Sequence, residues 1–165
     1  MHAYFFLNNK AAELVKSAMP RLDTKLESEG AEFLVLGNLL LHRIPTYKTY
    51  NGMAGYDLVA TNPESHRSAR IQVKSRWETG SSGFPISNFN CDFVVAAFLN
   101  RGAKDGRKKI RAPSFYVFPI SAIIDLPRSE RWNKVYLRNF RNVEAYKENW
   151  SLISRFLAGE PSKVV

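Results

Sequence analysis

Between Gly55 and Ser75 the chain reads GYDLVATNPESHRSARIQVKS, and this stretch carries an acid, an amide and an amine. Side chains alternate faces along a strand. In ARIQVKSRW, Ala69, Ile71, Val73 and Ser75 therefore share one face, and Arg70, Gln72, Lys74 and Arg76 share the other. In YDLVAT, Asp57 lies on the face opposite Tyr56 and Leu58. If the two segments pair as antiparallel neighbours, Asp57 stands beside Gln72 and Lys74. Ordinary solvent-facing charges would account for Gln72 and Lys74 taken alone. The three together suit a divalent cation and a phosphodiester. Breaking that ester requires a water activated near neutral pH and positive charge where the reacting oxygens become negative. Mg²⁺ binds through oxygen ligands and keeps several waters. Asp57 offers a carboxylate, Gln72 an amide oxygen, and Val73 the backbone carbonyl between the two candidates on its strand. Lys74 offers a cation that can orient or deprotonate the attacking water, or stabilise charge. Glu32, in EGAEFLVLGNLLL, is a fourth member. A carboxylate among so many apolar neighbours is costly unless it is paired or binds a cation. Glu29 takes its place if the helical register differs.

These residues need elements to position them. Residues 8–19 read as a short helix ended by Pro20, and a longer helix is expected from about Asp23 to Arg43, closed by Pro45. Its Phe33–Leu41 stretch is apolar nearly all round, so burial on several sides is expected. Strands are expected at Thr46–Tyr50, Tyr56–Thr61, Ala69–Trp77, Asp92–Leu99 and Ser114–Phe118, with an Asn51-Gly52 turn and a stop at Asn62-Pro63. Residues 78–90 read as a Gly/Ser/Pro-rich loop, 100–112 as a charged loop and Pro119–Ile124 as a helical turn. A final helix is expected over Val143–Leu157, capped by Asn142, with a loose tail after Gly159. Helix, several strands and helix make a mixed α/β domain with a central sheet of about five strands flanked by helices.

The 165 residues fit one domain, 45% hydrophobic and 13% aromatic, which supports a core without staples. Cys91 is the single cysteine, so no internal disulfide forms, and no Cys/His cluster suggests zinc. No apolar run approaches the roughly 18 residues of a membrane span. The reading is of a soluble, reduced, cytoplasmic protein without a membrane partner. Lys and Arg number 24 against 15 Asp and Glu, a net charge of +9 that favours a polyanion, nucleic acid first. Arg101, Lys104, Arg107, Lys108 and Lys109 crowd one loop with Gly102 and Gly106, positioned to meet phosphates. Arg70 and Arg76 flank Gln72 and Lys74 on the same face, and Ser82 and Asn88 lie in the loop that follows. A second basic segment runs from Arg128 to Arg141; its aromatics, Trp132, Tyr136 and Phe140, read as core rather than as base-stacking platforms.

Taken in order, the helix with GAEFLVLGNLLLHRIPTY, the strand GYDLVA, the strand IQVKS and the apolar strand CDFVVAAFLN resemble the PD-(D/E)XK nuclease superfamily. The resemblance is closest to the branch with a QxK motif that includes a bacterial group I intron homing endonuclease. Holliday-junction resolvases and restriction endonucleases share the wider core. It covers about residues 24–120, with a looser helical extension at about 121–157. It implies a restriction-endonuclease-like core. It also implies that Asp57 is the metal-binding acid, Gln72 the second position (Glu or Asp in most members), Lys74 the catalytic lysine and Glu32 the helix acid. The chain departs from that branch in reading Gly-Ala-Glu where Gly-Glu is more usual, and Gln72 carries one negative charge fewer than a three-carboxylate site.

The expectation is a Mg²⁺-dependent endonuclease, Mn²⁺ substituting, that hydrolyses double-stranded or branched DNA. Glu32, Asp57, Gln72 and the Val73 carbonyl would hold the metal and Lys74 would serve the water. Cutting both strands calls for two active sites, hence a homodimer or homotetramer. The alternatives are a catalytically weak or inactive nuclease-fold DNA-binding protein, one subunit of a larger complex, or an unrelated basic RNA-binding factor.

Overall fold

A computed structural model of the chain describes residues 24–50, 55–103 and 105–161. The expected helix at 8–19 and the Asn51-Gly52 turn lie outside these residues.

Helix α1 spans Thr24–Leu41. Strands β1 (Thr46–Lys48), β2 (Leu58–Asn62), β3 (Arg67–Arg76), β5 (Phe93–Phe98) and β6 (Ser114–Pro119) form one sheet in that spatial order. β1 pairs with β2 and β2 with β3 antiparallel, β3 and β5 are parallel, and β5 and β6 are antiparallel. This is the mixed α/β sheet of five strands read from the sequence. The β2–β3 turn is built by Asn62, whose Oδ1 accepts the N–H groups of Glu64 and Ser65 at 3.0 and 3.3 Å. β5, FVVAAF, is buried along its whole length, as expected for a central strand covered on both faces.

The alternation of β3 divides the core in two. Ala69, Ile71 and Val73 join Val95, Val117 and Leu58 under α1 and the C-terminal helix α2 (Ser151–Ala158). The opposite face of β5 and β6, with Val94, Ala96 and Phe118, packs under a two-stranded ribbon of β4 (Gly83–Pro85) and β7 (Lys134–Tyr136). Phe118 stacks on Phe140 there at 4.2 Å between ring centroids.

Four readings are corrected. α1 is not buried on several sides. Ala31, Val35 and Leu39, four residues apart, form one stripe fully buried on the sheet, while Phe33 and Leu41 are 55% and 83% exposed. A single sheet beneath a helix can cover only one stripe of it. The 78–90 segment is not all loop, because β4 pairs with β7 across some fifty residues of sequence, a contact no local pattern encodes. The strand expected over Thr46–Tyr50 ends at Lys48, where Thr49 instead binds the Asp57 carbonyl through its N–H and its hydroxyl, both at 3.0 Å. The final helix is split: a 3-10 turn over Val143–Tyr146 precedes α2, and Glu148 between them has φ +49°. A left-handed residue cannot continue a right-handed helix, and Asn142 makes no capping hydrogen bond. α2 closes at Gly159, φ +90°. No helix among the described residues is long and apolar enough to cross a membrane.

Candidate active site

Asp57 sits immediately before β2. Its N–H donates to the Ile71 carbonyl at 2.9 Å, and its Oδ2 accepts the Val73 N–H at 2.7 Å. The carboxylate thus replaces the next backbone carbonyl where the β2–β3 ladder ends. This sets Asp57 beside the Gln72–Lys74 segment, as the antiparallel pairing expected from sequence requires.

Gln72 is 7% exposed. Its Nε2 donates to the Gly55 carbonyl at 3.2 Å. A carbonyl can only accept, so this bond fixes which end of the amide is nitrogen. Oε1 is then a buried acceptor with no hydrogen-bond partner. Gly55 has φ +108°, and a Cβ there would stand 3.1 Å from the Asn90 carbonyl and 3.2 Å from Asn88 Nδ2. The glycine lets the 88–90 segment close over this end of β3.

Lys74 lies on the same face of β3, facing the buried Cys91. Burial pulls its pKa below the ordinary lysine value, against the opposing pull of Asp57 and of Cys91. The Cys91 thiol is itself pushed up to about 11 by burial. No carboxylate forms an ion pair with Lys74 among the described residues.

Glu32 reaches the site from α1. Burial raises its pKa, a hydrogen bond from Lys48 opposes that rise, and the nearby Asp57 charge adds to it. Lys48 of β1 bonds Glu32 and also Glu29, at 3.0 Å. Burial pulls the Lys48 pKa down, but the two carboxylates outweigh it and the net shift is upward. Both helix acids weighed from sequence are thus engaged by one ammonium. Lys48 was missed because its role depends on the β1–β2 register, Lys48 opposite Leu58, which no motif announces.

The donor set fits a hard divalent cation in part. Among the described residues no three His, Cys, Asp or Glu side chains converge as a metal cluster. The case rests instead on mixed oxygens: the Asp57 carboxylate, the partnerless Gln72 Oε1 and Glu32, whose counter-charge is Lys48. An unpaired buried amide oxygen is costly without a donor or a cation to meet it.

The expected nucleic-acid contacts divide. Arg70 is tied to Asp92 through its backbone N–H, Nε and Nη2 at 2.8–3.2 Å, and to Asn90 Oδ1 at 2.7 Å. Asn88 accepts the Asn90 N–H at 2.8 Å. Arg107 pairs with Asp105 and Lys108 with Glu78. Arg101 and Lys109 are exposed, as is Ser82; Lys104 is outside the described residues. Arg76 keeps a buried Nε without a partner. The buried Thr79, unnoticed in the sequence, anchors the basic loop: Oγ1 donates to the Lys109 carbonyl and accepts the Gly102 N–H, both at 2.9 Å. Of the three aromatics read as core, Phe140 is buried, but Trp132 is 60% exposed with the Arg131 guanidinium 5.2 Å from its ring centroid. It lies in the 129–133 turn that precedes β7, where no second layer covers it.

No family profile and no curated protein matches the chain. Among solved structures it is similar to a bacterial homing endonuclease, I-Ssp6803I, with a TM-score of 0.54 and 23% identity, over 83% of this chain and 96% of that one. The two share a fold, here an α/β arrangement with a mixed sheet of five strands and helices packed on it.

Proposed function

We propose that the protein is a divalent-metal-dependent endonuclease of the PD-(D/E)XK type that hydrolyses DNA in the cytoplasm. The observation that carries this reading is the buried, partnerless Oε1 of Gln72, one residue before the Val73 N–H that the Asp57 carboxylate accepts and on the same strand face as Lys74. The likeness to a homing endonuclease supports it. Glu32, Asp57, Gln72 Oε1 and the Val73 carbonyl would hold Mg²⁺ or Mn²⁺. The bound ion would polarise phosphoryl oxygens and make a coordinated water more acidic. Lys74, without a carboxylate partner, positions the attacking water or faces the developing negative charge. Lys48 keeps the helix acids compensated. A homodimer or homotetramer would supply the two sites that double-strand cutting requires.

The test incubates supercoiled plasmid and branched DNA with the protein in Mg²⁺, Mn²⁺ or EDTA, beside a Mn²⁺ binding titration. Cleavage should vanish in EDTA and in Lys74→Ala while DNA binding persists. Asp57→Asn should lose both cleavage and at least tenfold in Mn²⁺ affinity. Cleavage that survives in Asp57→Asn would sink the assignment. A second reading, a nuclease-fold DNA binder without catalysis, is favoured by the neutral Gln72 and by the Lys48 clamp on Glu32. It expects DNA binding without cleavage in any metal.

A further inference from the structure

At the end of β3 a cavity of about 240 Å³ opens between that strand and the β4–β7 ribbon. A water occupies about 30 Å³ in the liquid, so the space holds several waters or a hydrated small anion. Arg76 enters it from β3, with its Nε buried and lacking an acceptor. Lys134 and Tyr136 enter from β7. They flank the fully buried Val135 and so turn away from the core into the cavity. Ser81 and Ser82 line the β4 side. Gly83 is what allows the close approach: a Cβ there would stand 2.7 Å from Tyr136 Cδ1 and 2.8 Å from the Val135 carbonyl. One carboxylate, Glu78, is on the rim, and Lys108 neutralises it at 2.7 Å. No carboxylate pairs with Arg76 or Lys134 among the described residues. The cavity therefore holds two uncompensated cations with hydroxyl donors around them. That is the chemistry of a phosphate site.

We infer that this cavity binds a backbone phosphate of the nucleic acid other than the one cleaved. Arg76 follows Lys74 by two residues on the same face, a step of about 6.7 Å along a strand. A phosphodiester chain laid along β3 past Lys74 would reach it. The pocket sets where along the strand the scissile bond lies, through Lys134 and Arg76 as positioning residues. The source of the phosphate rests on the nuclease reading above; the presence of an anion site does not.

The experiment titrates inorganic phosphate into the full chain and follows the backbone amide resonances of Gly80, Ser81, Ser82 and Gly83. The same titration is run on Lys134→Met and Lys134→Arg. A saturable shift is expected in the wild type, weakened at least tenfold in Lys134→Met and largely restored in Lys134→Arg. No saturable shift, or one equal in Lys134→Met, overturns the site. In parallel, duplex DNA binding without metal is measured against salt. Each phosphate contact contributes about 0.9 to the logarithmic salt slope, so Lys134→Met should lower it by about one. Phosphate binding with an unchanged slope overturns the backbone phosphate as ligand. If the chain binds no DNA at all, the nuclease reading fails, and the phosphate titration still decides the pocket.

Discussion

The Asp57 carboxylate accepts the Val73 N–H at 2.7 Å, so its substitutions differ in kind. Asp57→Asn keeps a carbonyl oxygen for that N–H and removes only the charge. Asp57→Ala leaves a half-buried N–H without an acceptor, which costs about 1–3 kcal/mol. Urea unfolding should place Asp57→Asn close to the wild type and Asp57→Ala below it by that amount, with neither cleaving DNA. Equal stability of the two variants would mean that the bond carries no weight. Cys91 offers a second check nearby. With its pKa pushed up to about 11, about one thiol in a thousand is ionised at pH 8, against about one in ten for an unperturbed value of 9.0. A thiol reagent at pH 8 should label the folded chain at least a hundredfold more slowly than the unfolded one. The raised value also means that the thiol's contribution to stability is complete below pH 9 and is lost as pH climbs toward 11.

At the level of elements, what could be read from sequence was what local pattern encodes. β3 announces itself by strict alternation, and β5 by an unbroken apolar run. The acid, amide and amine came together because one short turn after Asn62 settles the β2–β3 register. β4 and β7 have three residues each and exist only through each other, so neither shows a period. The break at Glu148 has no marker either, since no glycine or proline stands there. Lys48 and Thr79 were invisible for the same reason, their partners being distant in sequence. Thr79 joins two loops that the charge pattern treated as separate. Thr79→Val leaves the Gly102 N–H and the Lys109 carbonyl without their partner and should cost about 1–3 kcal/mol. Released from Thr79, the loop carrying Arg101 and Lys109 should bind DNA several-fold more weakly, while cleavage at saturating DNA changes little. A variant that lost stability but kept full DNA affinity would show that the loop does not meet the nucleic acid.

The whole molecule combines a net charge of +9 with an apolar flank. Phe33, Leu34, Leu40 and Leu41 on the outer side of α1 are all exposed. Exposed apolar residues gathered on one element are a common mark of association. Two of them, Leu34 and Leu41, are one heptad apart, so they rise on the same side of the helix. Were the chain to cut both strands, as the proposed function has it, a second copy would be the occupant, because one small domain offers one set of Asp57, Gln72 and Lys74. The two surfaces should respond differently to salt. DNA binding weakens as salt rises, whereas an apolar contact does not depend on ion pairing. Sedimentation of the wild type should therefore give a multiple of the single-chain mass at both 50 mM and 500 mM NaCl. Leu34→Glu with Leu41→Glu should give one chain. That variant retains every residue of the proposed site, so it should still nick supercoiled plasmid. It should yield far less linear product per nicked circle, because the second cut no longer comes from a tethered partner. A wild type that sediments as one chain, or a double variant that linearises plasmid as well as its parent, would remove α1 as the assembly surface.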